Sequence, residues 1–117
     1  MRIRGVGRQR MSAGKDLQVA NVADGFQFQV TDTKKYSHTY TYTWANSGTA
    51  ATVNQSSSKS GGDATLVFKD NAGTTVYSRS LKQNGTFTTT ARTAGNWTNQ
   101  LLANKVTGTL NFRAEKL

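Results

Sequence analysis

Between Tyr36 and Trp44 every even position carries a ring (Tyr36, His38, Tyr40, Tyr42, Trp44) and every odd position a small hydroxyl (Ser37, Thr39, Thr41, Thr43). Successive residues of a strand point to opposite faces, so this run forms a strand with one aromatic face and one Ser/Thr face. The run therefore commits its part of the chain to a sheet, and its rings to one side of that sheet. Two readings of that side follow. Facing outward, Tyr40, Tyr42 and Trp44, with Trp97 later in the chain, make a stacking platform for sugars or bases. Facing inward, they fill the space between two sheets. Hydrophobic residues make up only 35% of the 117-residue chain. A core needs these rings, which favours the inward reading for the stripe and for Trp97.

The same alternation recurs along the chain. Strand candidates cover residues 26–31, 36–44, 51–55, 64–69, 74–81, 86–90, 96–103 and 106–114. Asn46-Ser47-Gly48, Asp70-Asn71-Ala72-Gly73 and Asn84-Gly85 are turn signals between them, and 56–62 reads as a polar loop. The Asp70–Gly73 turn defines the most secure hairpin. Helical periodicity is confined to Asn99–Lys105, which reads better as an irregular or bulged strand. Asn99 stands there at an alternating position that would ordinarily be apolar. Pro is absent, so no position is barred from ladder hydrogen bonding. Short strands at regular spacing indicate an all-β fold. The expectation is an antiparallel β-sandwich, jelly-roll-like, of about eight strands over residues 25–117.

Residues 1–24 show no sustained period and are broken by Gly5, Gly7 and Gly14. They read as a flexible basic arm or a strand added late to the sheet, with the boundary near Asp24-Gly25. Arg2, Arg4, Arg8, Arg10 and Lys15 meet no acid within the first 15 residues. The remaining ten cations and six acids leave a net +4 of the chain's +9. Such an arm could neutralise a phosphate backbone, or could be a solvated tail. No apolar run reaches the roughly 18 residues a membrane span needs. No apolar segment follows the basic head as in a signal peptide.

Little in the chain carries reaction chemistry. There is no Cys, so neither a disulfide framework nor a thiolate metal site is available. His38 is the single His, and no Gly-x-Ser-x-Gly elbow accompanies it. The six carboxylates (Asp16, Asp24, Asp32, Asp63, Asp70, Glu115) lie apart in sequence, several at turns where Asp serves backbone bonding. Asp63 and Asp70 could offer oxygens to calcium, but no ligand loop surrounds them. The expectation is no catalytic set, no metal and no cofactor.

The stretches Asp70-Asn71-Ala72-Gly73-Thr74, Asn84-Gly85-Thr86-Phe87, Thr93-Ala94-Gly95-Asn96-Trp97-Thr98 and Val106–Arg113 together resemble the closing half of jelly-roll sandwiches. The similarity is to bacterial pre-peptidase C-terminal domains and GOLD-like domains, and to short secreted bacterial proteins of this build. The resemblance implies a secreted or cell-surface, non-catalytic binding module. The functional expectation is a non-enzymatic exported sandwich acting as a binding or self-assembling structural module. Its partners would be a protein or glycan surface or further copies of itself, since sheet edges without Pro can pair. The alternative is a small coat-like or nucleic-acid-associated protein using the basic arm.

Overall fold

The computed structural model describes residues 7–10 and 16–117. These form eight strands: β1 (Gly7–Arg10), β2 (Asp16–Val22), β3 (Gly25–Asn46), β4 (Ala51–Gln55), β5 (Ser58–Lys69), β6 (Thr75–Ser80), β7 (Gly85–Thr88) and β8 (Gly95–Lys116). Every pairing is antiparallel, in the order β1-β2-β3-β8-β4-β7, with β5 on β8 and β6 on β5. The fold is the expected all-β sandwich, and two of its strands are far longer than the sequence suggests.

β3 and β8 each run 22 residues. Drawn straight, each would span about 70 Å, whereas the molecule measures 36 × 32 × 22 Å. Both must therefore bend. β3 slips register three times between Val30 and His38, and β5 twice between Lys59 and Asp63. β4 and β5 keep one register against β8: Gln55 lies opposite Phe112 and Ser58 opposite Thr109. Ser56 N–H continues that ladder to the Asn111 carbonyl at 3.1 Å. The pair thus acts as a third long strand. All three bend along one crease, at residues 31–37, 56–63 and 104–109. Bulges bend and twist the strand that carries them, and this crease folds a single sheet into two layers.

Layer one holds β1, β2, the first part of β3, the last part of β8, β4 and β7. Layer two holds β3 from His38, β8 up to Ala103, β5 from Ala64, and β6. Ring contacts across the fold establish the stacking: Phe28 to Tyr40 at 5.0 Å, Phe26 to Tyr42 at 5.3 Å and Phe68 to Phe112 at 6.1 Å. Trp44, Trp97, Phe26, Phe28, Phe68 and Phe112 are the largest fully buried side chains. At about 25 cal/mol per Å2 of apolar area, these rings supply most of what holds the layers together.

The crease imposes its own backbone geometry. Gly62 and Gly108 adopt φ of 79° and 129°. A Cβ at Gly62 would collide with the Lys105 carbonyl, and one at Gly108 with the Ser58 carbonyl. Lys35 and Lys105 also enter the left-handed region, at φ 47° and 52°, where a side chain costs roughly 1–2 kcal/mol.

Two sequence expectations change here and two readings are sharpened. Candidates 26–31 and 36–44 are one strand, as are 96–103 and 106–114. The polar loop 56–62 is mostly strand, because β8 supplies backbone partners to residues whose side chains are not apolar. Asn99–Lys105 is strand, as expected, and β8 continues through the left-handed Lys105. Residues 16–22, read as part of a flexible arm or a strand added late to the sheet, form the strand β2, since Leu17 is buried and Val19 packs against the core. The expected boundary is the turn Ala23-Asp24. There Asp24 accepts bonds from Ser47 N–H (2.7 Å) and Ser47 Oγ (2.9 Å) and lies 3.6 Å from Lys116 Nζ.

Candidate functional site

The outward platform of Tyr40, Tyr42, Trp44 and Trp97 does not form. Trp44 and Trp97 are 0% exposed and Tyr40 only 6%. The two indoles meet edge-on at 5.9 Å. Trp44 Nε1 donates to the Val22 carbonyl and Trp97 Nε1 to the Thr93 carbonyl, each at 2.9 Å. Their polar atoms are satisfied and their faces covered, so neither can stack on a ligand. Tyr42 alone of the four is half-buried rather than buried. Of the proposed phosphate-binding arm, Arg2, Arg4 and Lys15 lie outside the described residues. The backbone of Arg8 and Arg10 belongs to β1, opposite Gln18 and Asp16.

The stripe produces a different site, on the flank of the sandwich. β3 pairs with β8 along residues 38–46, and no strand among the described residues pairs with the other side of that segment. The end of β2 covers part of it. Asn21 Nδ2 donates to the Thr43 carbonyl (2.9 Å) and Asp24 N–H to the Ala45 carbonyl (2.8 Å). Thr43 and Ala45 thus turn their backbone groups away from β8. Strand periodicity of two then directs those of Thr39 and Thr41 the same way, and no strand among the described residues meets them. Among the described residues, the backbone edge over residues 37–42 is open.

A row of rings follows this edge. Tyr36 and His38 stack at 6.0 Å, His38 meets Tyr40 edge-on at 4.6 Å, and Tyr40 stacks on Tyr42 at 6.4 Å. Tyr36 and Tyr40 share a hydroxyl–hydroxyl bond of 2.9 Å. His38 is exposed and Tyr36 half-buried. Burial, followed by the bond to Tyr36, pushes the Tyr40 phenol far above its ordinary range. Burial likewise raises Tyr42. Both remain neutral hydroxyls at ordinary pH. The opposite face of the edge presents Ser37, Thr39, Thr41 and Thr43, all exposed. From Tyr36 to Trp44 there is no formal charge.

Chemically, this arrangement offers extended-backbone donors and acceptors between a hydroxyl face and a ring face. It suits the addition of another strand. Among the described residues no three His, Asp or Glu side chains gather as metal ligands, and no helix is long and apolar enough to cross a membrane. Sequence reasoning placed the rings correctly on one face. It left Tyr36 and His38 out of the site because membership of an edge strand is decided by pairing partners distant in sequence.

No family model matches the chain, and no curated protein matches it significantly. Among solved structures, one similar chain belongs to accessory secretory protein 1, 2 and 3 of Streptococcus pneumoniae. It shares 9% identity at a TM-score of 0.45, over 98% of this chain and 87% of that one. An arabinose-bound α-L-arabinofuranosidase shares 15% identity at 0.38, over 97% of this chain and 23% of its own. The C-terminal CBM6 of a marine laminarinase from Zobellia galactanivorans shares 15% identity at 0.31, over 97% and 90%.

Proposed function

We propose that the chain is a non-enzymatic structural and binding module of an exported setting that assembles with copies of itself through the open edge of β3. The observation that carries this reading is the uncharged run 37–42, whose outward backbone groups meet no strand among the described residues. The run is nearly self-complementary about Thr39: Ser37 matches Thr41, and His38 matches Tyr40. Two copies related by a two-fold axis would set Thr39 against Thr39, join hydroxyl face to hydroxyl face, and extend layer two from four strands to eight. Natural edges are usually guarded by Lys, Pro or a bulge, and this segment has none of these after the shift at Tyr36/His38. The exported setting is supported by the resemblance of residues 64–113 to secreted sandwiches.

Repulsion between two chains of +9 opposes assembly and is screened by salt. Self-association should therefore strengthen as salt rises. Sedimentation velocity over a concentration series tests this. Wild type is expected to associate, more so at high salt. Thr41→Pro should stay monomeric with an unchanged strand signal, because the N–H it removes points away from β8. A wild type that is monomeric at high concentration, or a Thr41→Pro variant that associates equally, would overturn the reading.

A further inference from the structure

The crease carries a feature that self-assembly does not use. Lys34 and Lys35 lie where β3 bends, Lys105 where β8 bends, and Lys59 where β5 bends. These strands are neighbours, so the four lysines form a ridge across three strands, about 10 Å from β3 to β5. Hydrogen bonds tie the three bends together. Lys35 N–H donates to Thr107 Oγ1 (3.0 Å), Lys105 N–H to Ser37 Oγ (2.8 Å), and Lys59 Nζ to the Gly62 carbonyl (2.6 Å). Gly62 in turn lies against the Lys105 carbonyl. Lys34, Lys35 and Lys105 are exposed, and no ion pair among the described residues neutralises them. A polar cleft of about 330 Å3 continues the ridge between Ser57, Ser58, Lys59, Ser60, Lys82 and Asn84.

The backbone indicates that these charges are retained against a local penalty. The same crease uses glycine at two left-handed positions, 62 and 108, and lysine at the other two, 35 and 105. Glycine would relieve the strain there. A strained residue that the fold does not require points to a role for its side chain. The ridge presents point charges among hydroxyls and amides, with no Arg fork to read a base edge; the exposed carboxylate of Asp63 lies opposite Asn104, and the stacked Tyr36 and His38 rings flank its β3 end.

We infer that the lysine crease binds a linear acidic polysaccharide, its sulfates or carboxylates paired with Lys34, Lys35, Lys59 and Lys105 and its chain seated in the serine cleft. Heparin oligosaccharide binding to the full-length protein, followed by calorimetry over a salt series, tests this, with single-stranded DNA of equal charge in parallel. Heparin affinity should fall as salt rises, opposite in sign to self-association. Lys35→Gly/Lys105→Gly should lose about tenfold in heparin affinity while its melting temperature holds or rises. Lys34→Gln, at an ordinary backbone position, guards against a folding artefact and should lose a few-fold. Heparin affinity unchanged in both variants would overturn the site. DNA binding as tight as heparin binding, and equally sensitive to the variants, would overturn the polysaccharide assignment in favour of nucleic acid.

Discussion

The two flanks of the sandwich are closed by different means. On the β6/β7 flank, buried side chains stitch the layers together. Gln55 Nε2 donates to the Ser80 carbonyl (3.0 Å) and the Gln83 carbonyl (2.5 Å), while its Oε1 accepts from the Tyr77 hydroxyl (2.7 Å). Arg79 sits 3.8 Å over the Phe87 ring, and Thr90 N–H reaches the Val76 carbonyl at 3.0 Å. On the β3 flank the end near Asp24 is sewn, and among the described residues no strand pairs with the outward backbone groups of residues 37–42. One flank uses its polar groups to close the fold; the other has the groups that the proposed assembly would use. A flank that offers such groups to a partner adds little to the stability of the monomer.

Substitutions on the two flanks should therefore differ sharply. Gln55→Ala leaves two carbonyls and a buried phenol short of partners and should cost about 2–4 kcal/mol in urea unfolding. A cost below about 1 kcal/mol would mean the stitched flank is not what closes the fold. Between the flanks lies Asn99, 1% exposed, whose side-chain N and O both lack a partner among the described residues. Asn99→Leu should raise stability by about 1–2 kcal/mol. A loss instead would show that the amide is satisfied in solution, for example by buried water. Asn21→Ala, which uncovers the Thr43 carbonyl, should cost about 0.5 kcal/mol in the monomer and lengthen the open edge, strengthening self-association in sedimentation.

The sewn end should also be sensitive to acid. The bonds from Ser47, with Lys116 nearby, hold the Asp24 carboxyl below its ordinary 3.8. Burial pushes Asp70 up, but bonds from the N–H groups of Thr74, Thr93 and Ala72 outweigh it and leave that carboxyl lowered as well. A lowered carboxyl stabilises the fold above its unfolded value, and this is lost as pH falls through the folded one. The melting temperature should hold above pH 5 and drop below about pH 4. Asp24→Asn should lower it at neutral pH and flatten the acid slope. An unchanged slope would remove Asp24 from the account of this end.

Much of this was legible in the residues. The Asp70–Gly73 turn joins β5 to β6, and the stripe at 36–44 buries Tyr40 and Trp44 while His38 at its start stays exposed. What was hidden depended on partners far away in sequence. Asp32-Thr33-Lys34-Lys35 breaks the alternation, yet β3 passes straight through it, because bulges keep the ladder to β8 without needing apolar side chains. Leu17 and Val19 alternate with Gln18 and Ala20, but seven residues beside a glycine-broken basic head gave no sustained period. The open edge was invisible for the same reason as the crease. No local pattern tells a strand whether it has one neighbour or two.

The most direct test is amide hydrogen exchange at Thr39 and Thr41, in dilute and in concentrated protein. In the dilute monomer both amides should exchange quickly, while those of Tyr40 and Tyr42, which face β8, stay protected. At high concentration Thr39 and Thr41 should become protected too, and Thr41→Pro should abolish the change at Thr39. Protection of both amides already in the dilute monomer, or fast exchange at every concentration, would contradict assembly through the open edge of β3.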